Sequence, residues 1–296
     1  MNNSATDQLL TQIAVVDDRF SGHIRVASAA LDTTEVVEYG SATPVATASV
    51  IKVPILLTAL ALAEEGGIDL STRVTIKSTD IVEGSGFLKL FQAGLEPTLR
   101  DLSISMIATS DNTATNLMID SVGGVEAVNA FCGSLGLGDI RLHNRIDFSL
   151  LGDDPEALGT ASISDLNRLS QRIANGTAFS PSVSREAEDI MGTQMYLDLV
   201  ARHYQLNPYA NELGKPTQLT VASKTGFFGG IRVDMGIVRW ANGGFTYACS
   251  AHDSDDLAFS CSAEPAMALG KVGQLLLQHY WPESAGQIPL ALGLEV

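Results

Sequence analysis

Residues 49–66 read SVIKVPILLTALALAEEG, and this stretch determines how the rest of the chain is interpreted. From Val53 to Ala63 every residue except Thr58 is apolar, and no glycine interrupts the run. Such a pattern predicts a long helix that is buried on all sides. Pro54 falls in or near the first turns, where a missing N–H is tolerated.

Other helical and strand-like patterns surround this helix in a definite order. Leu9, Leu10, Ile13 and Val16 recur at helical spacing, which predicts an amphipathic first helix. The predicted helices cover residues 4–17, 49–66, 99–107, 113–121, 125–135, 164–175 and 267–281. The predicted strands cover residues 23–31, 35–39, 219–223, 232–239 and 245–250. Residues 145–160 show no period, which predicts a long loop.

This order predicts an α+β fold built from two lobes. Residues 1–45 and 215–296 would form a discontinuous α/β lobe, in which the terminal helices pack on a sheet. Residues 46–214 would form an all-helical lobe. The active site would lie in the cleft between the two lobes.

The charge balance narrows the range of partners. The 296 residues include 18 Lys and Arg against 34 Asp and Glu, which gives a net charge of −16. This field repels phosphate backbones and anionic lipid, so we expect no nucleic-acid partner and no membrane partner. The polar first ten residues do not resemble a signal peptide. We therefore expect a cytoplasmic location for the chain as it stands, or a periplasmic or secreted one if a leader was removed.

Cysteine and histidine spacing gives no metal-binding pattern. Cys132, Cys249 and Cys261 lack metal-ligand spacing. Cys249 and Cys261 either bridge two strands or, as we favour, are two buried small hydrophobic residues. The five histidines are scattered, and no strand precedes the Gly123-Gly124 pair, so we expect neither a metal nor a cofactor.

Ser49 and Lys52 stand at the start of the buried helix, where their spacing puts a hydroxyl and an amine on one helical face. Serine becomes a nucleophile when a neighbour takes its proton, and a partly desolvated lysine can do this once its pKa falls. The helix N-terminus also offers N–H groups to an oxyanion. Taken alone, however, the pair is more typical of a solvated lysine on a helix.

Two further motifs follow along the chain. Ser110-Asp111-Asn112 lies between two predicted helices, and taken alone it is typical of a helix N-cap. Lys224-Thr225-Gly226 lies at the end of a predicted strand, and taken alone it is typical of a charged edge with a turn glycine.

The three motifs in this order form the signature of class A β-lactamases and penicillin-binding proteins. The chain resembles this superfamily of serine hydrolases over about residues 12–281, and residues 109–117 (TSDNTATNL) extend the match. The resemblance implies a β-lactamase-like fold, with an antiparallel sheet, flanking terminal helices and a helical lobe.

The resemblance also implies catalytic roles. Ser49 would be the acylated nucleophile, and Lys52 would be its base or part of the proton relay. Ser110 would pass a proton to the leaving nitrogen. Asn112 would hold the amide side chain of the substrate.

Substrate binding would fall to the third motif and the residues after it, which are Lys224, Thr225, Gly226, Phe227 and Arg232. Lys224 would act electrostatically on Ser110, and Thr225 would donate a hydrogen bond to a substrate carboxylate. The backbone N–H groups of Ser49 and Phe227 would form the oxyanion hole. Arg232 would bind the same carboxylate or, alternatively, be an exposed strand arginine.

The long loop departs from the class A pattern, in which a glutamate in a Glu-x-x-Leu-Asn context hydrolyses the acyl-enzyme. Residues 145–151 here read RIDFSLL. Asp147 falls at or near the glutamate position with a side chain one methylene shorter, and a shift of about an ångström matters for a base. Asp147 is therefore either a catalytic base or a structural residue paired with Arg145. Leu151 replaces the asparagine that would help hold the hydrolytic water.

Two neighbouring stretches complete the comparison. Gly84-Ser85-Gly86-Phe87 replaces the aromatic residue at the rim of many related sites, and its glycines would open or loosen that edge. Asp153, Asp154 and Glu156 are interpreted as a solvated turn.

The leading hypothesis is a serine hydrolase that cleaves an amide through an acyl-Ser49 intermediate. In its most specific form, this hypothesis states that the amide is a β-lactam. One alternative is a peptidase, esterase or amidase of the same fold. Another is a penicillin-acylated binding or sensor protein with slow deacylation. In each case the partner would be a small acyl amide or ester that bears a carboxylate.

Overall fold

The computed structural model describes residues 3–286 except 205, 208, 211, 216 and 217. Within these residues the α-helices are α1 (Asn3–Arg19), α2 (Lys52–Glu64), α3 (Leu99–Ala108), α4 (Asn112–Ser121), α5 (Val125–Ser134), α6 (Phe148–Leu151), α7 (Ile163–Ala174), α8 (Pro181–Met191) and α9 (Glu264–Tyr280). The strands are β1 (His23–Ala30), β2 (Val36–Tyr39), β3 (Val45–Ala46), β4 (Arg141–Leu142), β5 (Gly159–Ala161), β6 (Leu219–Phe228), β7 (Ile231–Trp240) and β8 (Gly243–His252). Residues 1–2, 216–217 and 287–296 of the predicted sheet lobe lie outside the described residues.

The larger sheet is antiparallel and joins the two ends of the chain. Its strand order is β2-β1-β8-β7-β6. Strand β1 pairs with β8, where Ile24 lies opposite Ala251. Strand β6 lies at the edge and pairs with β7, where Thr225 lies opposite Asp234. A smaller sheet has the order β3-β5-β4.

Two hydrophobic clusters cover the two faces of the larger sheet. Helices α1 and α9 pack on the back face, where they meet alternate strand residues such as Val26, Phe245 and Cys249. The cluster on the front face contains α2 and α7 and strand residues such as Met235 and Ala248. The alternation follows from the period of two in a strand.

Helix α2 forms the centre of the front cluster, as its sequence predicts. A 3₁₀ helix, Ala48–Ile51, leads into it, and every residue from Lys52 to Ala61 is buried. Pro54 is the third residue of α2, where its missing N–H would have no helical partner in any case. Each fully buried leucine or isoleucine side chain contributes about 1.5–3 kcal/mol to folding.

Every predicted helix and strand is present, but several boundaries differ. Strand β6 continues through Lys224-Thr225-Gly226 to Phe228 because its pairing with β7 continues that far. The last helix begins at Glu264 rather than at residue 267, since Pro265 is tolerated in its first turn. Helix α8 was not predicted, although Ser180 caps it by accepting a hydrogen bond from the Val183 N–H.

The regular secondary structure of the segment 46–214 is mostly helical, but the segment also contains β4 and β5, which the pattern did not predict. Helix α6 is a single turn inside the predicted loop 145–160. Across the described part of the chain, no helix combines the length and the hydrophobicity that crossing a bilayer requires.

The three cysteines are free thiols. Cys132 and Cys249 are buried, as predicted for Cys249, whereas Cys261 is exposed. The interpretation of Cys261 as a buried hydrophobic residue is therefore wrong, because it lies in the turn before α9.

Candidate active site

Lys52 links the first motif to the second through hydrogen bonds. Its Nζ donates to the carbonyl oxygen of Ser110 at 2.6 Å and to the Oγ of Ser110 at 3.1 Å. It also donates to the Oδ1 of Asn112 at 3.0 Å. The fold therefore brings residues separated by about sixty positions into direct contact.

The third motif lies against the backbone of Ser49. A Cβ at Gly226 would stand 2.8 Å from the oxygen of Thr47 and 2.9 Å from the nitrogen of Ser49, so only glycine allows β6 to approach this closely. Lys224 shares the face of Gly226, because alternate residues of a strand point the same way. All three motifs therefore meet at the N-terminal end of α2.

The surroundings of Lys52 disfavour the protonated form of its amine. The side chain is buried, and the loss of hydration is the main reason that its pKa lies well below the usual range. The positive charge of Lys224 lowers this pKa further, whereas Asp111 acts in the opposite direction. A lysine with a lowered pKa can serve as a proton acceptor, and the interpretation of Lys52 as a solvated lysine is wrong.

Lys224 is also buried, within β6 rather than at its end. Its Nζ donates to the carbonyl oxygen of Thr225 at 2.8 Å. Burial lowers the pKa of Lys224 to about 7, against the attraction of the Asp234 carboxylate. The interpretation of the third motif as a charged strand edge with a turn glycine is therefore wrong.

Asp111 is the residue that caps α4, not Ser110 or Asn112. Its Oδ1 accepts a hydrogen bond from the Ala114 N–H at 2.9 Å, and its Oδ2 accepts one from the Leu88 N–H at 2.9 Å. The N-cap interpretation of the second motif is therefore correct for Asp111. Ser110 and Asn112 are free to contact Lys52.

Two residues of the site have a left-handed backbone. Ser110 has a φ of 56°, and Ala48, which precedes Ser49, has a φ of 44°. Residues other than glycine adopt such angles at a cost, and these conformations cluster at functional sites.

The loop at 83–88 is held tightly against the second motif. The Asn112 N–H donates to the oxygen of Ser85 at 3.1 Å, and the Asn112 Nδ2 donates to the oxygen of Glu83 at 2.8 Å. A Cβ at Gly86 would collide with the carboxylate of Asp111. The expectation that glycines loosen this edge is wrong, because here they permit close packing.

Ser49 opens into a cavity of about 290 Å³ between the 3₁₀ helix, β6 and the loop at 146–158. Asn112 and Phe227 also line this cavity, together with Phe148 and Phe259. The site is therefore accessible to a small molecule, with a largely apolar wall facing the candidate nucleophile.

Asp147 has a different position from the one expected of a base. It caps α6, where its Oδ1 accepts hydrogen bonds from the Ser149 hydroxyl at 2.6 Å and the Ser149 N–H at 2.9 Å. These bonds, first the hydroxyl and then the N–H, lower the pKa of Asp147. Asp147 lines a separate cavity rather than that of Ser49. Its predicted pairing with Arg145 is wrong, since Arg145 lies 3.0 Å from Asp120.

Arg232 is fully buried, so its interpretation as an exposed strand arginine is wrong. Its guanidinium donates to the carbonyl oxygens of Phe228, Ile231 and Ala258 at 2.6–2.8 Å. It also lies over the rings of Phe227 and Phe259, at 5.0 and 5.4 Å from their centroids. Its contact with a substrate carboxylate stays a prediction.

Thr225 points to the back face of the sheet, opposite to Gly226. Among the described residues its buried Oγ1 has no hydrogen-bond partner. Its contact with a substrate carboxylate likewise stays a prediction.

The model of the beta-lactamase enzyme family matches residues 8–280 of this chain. The chain belongs to the beta-lactamase enzyme family.

Individual relatives agree with this assignment. Beta-lactamase CARB-4 of Pseudomonas aeruginosa is 30% identical over 156 residues, which are 51% of this chain and 54% of that enzyme. Beta-lactamase L2 of Stenotrophomonas maltophilia is 40% identical over 88 residues, which are 30% of this chain and 29% of that enzyme. The chain thus spans about half or less of the length of these curated relatives.

Solved structures show the same fold over nearly the whole length. The crystal structure of the beta-lactamase from Sphaerobacter thermophilus superposes with a TM-score of 0.81 at 25% identity, covering 96% of this chain and 98% of that one. The predicted α+β, β-lactamase-like fold is therefore confirmed.

Two residues of this beta-lactamase family member were not singled out from the sequence. Asp234 is buried on β7 beside Thr225, where it accepts hydrogen bonds from the Val200 N–H and the Tyr247 hydroxyl. An aspartate between the apolar residues Val233 and Met235 was the available signal. Phe259 lines the Ser49 cavity from a loop after β8, and no sequence signal could have indicated that.

Proposed function

We propose that this chain is a serine hydrolase that opens the amide bond of a β-lactam through an acyl-Ser49 intermediate. One observation carries the proposal: the buried amine of Lys52 contacts Ser110 and Asn112 where the 3₁₀ helix that contains Ser49 leads into α2. Family membership supports the same reaction. The net charge of −16 favours a small-molecule substrate over a nucleic acid or a membrane surface.

In the proposed acylation, Lys52 in its neutral form gives up one of its three donated hydrogen bonds, and the lone pair so freed accepts the proton of the Ser49 hydroxyl while the Ser49 oxygen bonds to the substrate carbonyl carbon. The carbon–nitrogen bond then breaks, and the leaving nitrogen takes a proton from the hydroxyl of Ser110. Lys52 returns its proton to Ser110 along the 3.1 Å hydrogen bond that joins them. The proton therefore moves from serine to the leaving nitrogen, and the acyl group stays on Ser49.

Substrate binding in this proposal uses the third motif and its neighbours. The backbone N–H groups of Ser49 and Phe227 would hold the oxyanion. Asn112 would bind the amide side chain, and Lys224 and Arg232 would favour a substrate that bears a carboxylate. Strand β6 supports this role because it is an edge strand, along which an extended substrate can lie.

Deacylation is the slower half of the proposed reaction. Asp147 is exposed and engaged by Ser149, so we assign to it the N-cap of α6 rather than the activation of water. Because a base must reach its water, an acyl-Ser49 adduct is expected to persist long enough to be observed directly.

The test is the mass of the intact protein against time after mixing with benzylpenicillin, with Ser49→Ala alongside. We expect a penicilloyl adduct on the wild type only, and the rate at which it disappears gives the deacylation rate. An adduct on both proteins would exclude Ser49 as the nucleophile. The absence of both an adduct and substrate loss would overturn the β-lactam reaction.

A further inference from the structure

The cavity beside Ser49 has an apolar wall and one formal charge. Four phenylalanines line it, together with aliphatic residues such as Leu151 and Leu158. Among its described lining residues, only Asp154 carries a charge. A substrate group that enters this cavity therefore meets aromatic rings and one carboxylate.

The cations of the site lie behind the cavity wall rather than in it: Lys52 contacts Asn112, and Arg232 lies over the rings of Phe227 and Phe259. Lys52 donates to Ser110 and Asn112, and Lys224 donates to the oxygen of Thr225. Arg232 is held by three backbone carbonyl groups. None of the three lines the cavity of about 290 Å³, so no neighbouring cation in its wall offsets Asp154.

The local structural role of Asp154 does not require its charge. Its Oδ1 accepts a hydrogen bond from the Glu156 N–H at 2.9 Å, which closes a turn in the loop. Asparagine makes the same turn with its side-chain oxygen. The charge of Asp154 can therefore be removed while the turn is kept.

We propose that Asp154 determines specificity: the Ser49 cavity accepts an aromatic or aliphatic acyl side chain that is neutral or cationic, and Asp154 disfavours an acyl side chain bearing a second carboxylate. The inference rests on the proposed acylation of Ser49 and goes beyond it by naming the substrate class.

The expected size of the effect follows from Coulomb's law. Two unit charges about 6 Å apart at a solvated site change a rate or binding constant about 3- to 10-fold. When the substrate charge changes from +1 to −1, an attraction to Asp154 is replaced by a repulsion of equal size, so the factor applies twice. We therefore expect a preference of about 10- to 100-fold for the cationic over the anionic side chain.

Three penicillins isolate this charge because they differ only at the carbon next to the acyl carbonyl. Benzylpenicillin has hydrogen there, ampicillin an amino group and carbenicillin a carboxylate. The measurement is the second-order rate constant for acylation of Ser49 by each compound. The proteins are the wild type, Asp154→Asn and, as a matched control, Asp153→Asn.

Asp153 is the right control because it is next in sequence and exposed, as Asp154 is, but does not line the cavity. We expect the ratio of the ampicillin to the carbenicillin rate constant to fall at least about 5-fold in Asp154→Asn and to be unchanged in Asp153→Asn. An equal fall in both variants would assign the effect to the net charge and overturn the inference.

Two other outcomes separate this inference from the function on which it rests. Adducts with all three penicillins at equal rates in the wild type would overturn the role of Asp154 and leave the proposed reaction intact. No adduct with any of the three would overturn the proposed reaction and the inference together.

Discussion

Asp111 stabilises the site by satisfying two N–H groups from different segments, and its removal gives a quantitative test. In Asp111→Ala, α4 loses its N-cap acceptor, which costs about 1 kcal/mol. The Leu88 N–H loses its acceptor inside the protein, which costs about a further 1–3 kcal/mol. We expect the free energy of unfolding to fall by about 2–4 kcal/mol in total.

Asp111→Asn separates the two contributions. Asparagine keeps one acceptor oxygen for the α4 cap but presents an NH₂ group to the Leu88 N–H, so we expect a loss of about 1–3 kcal/mol. Urea unfolding followed by circular dichroism measures both variants. Asp147→Ala is the control, because it removes an exposed cap from a one-turn helix and should cost less than about 1 kcal/mol. An Asp111→Asn variant as stable as the wild type would refute the assignment of the Leu88 hydrogen bond.

Two further predictions concern Lys52 and Gly86. Only the neutral amine of Lys52 accepts a proton, so the acylation rate should rise with pH, with a midpoint well below the ordinary lysine value of about 10.4. A pH–rate profile with its midpoint near 10.4 would contradict Lys52 as the base. Gly86→Ala should lower the urea midpoint much more than Gly94→Ala. Both glycines have a φ near +100°, but only a Cβ at Gly86 meets other atoms. Equal losses would show that backbone strain alone determines the cost.

Local sequence patterns are sufficient to predict most of the helices and strands and to recognise the three motifs. The apolar run after Lys52 predicts α2 correctly because a helix that is buried on all sides needs apolar residues on every face. The serine–lysine, Ser-Asp-Asn and Lys-Thr-Gly motifs indicate the family correctly, since each needs particular side chains at fixed spacing.

Positions that depend on tertiary contacts were harder to predict. Arg232 has the pattern of a strand residue, and only the fold reveals the carbonyl groups that surround its guanidinium. The resemblance places Asp147 at or near the position of a base, but a hydrogen bond from Ser149 two residues later gives it a local role. Gly86 was interpreted as a source of looseness because glycine lacks a side chain, and only the fold reveals that Asp111 packs against it.

The pairing of β1 with β8 has a consequence for the synthesis of the chain. Ile24 meets its partner Ala251 only after more than two hundred further residues have been made, which takes roughly 10–40 s at ordinary translation rates. The helices on which α2 packs, among them α4, α5 and α8, are all translated before β6, whereas the sheet stays incomplete throughout that interval. The nucleophile is translated early, whereas β6, which completes its surroundings, follows much later. A polypeptide that ends before residue 218 would therefore carry Ser49 and Lys52 but lack β6, and with it the side chain of Lys224 and the N–H of Phe227.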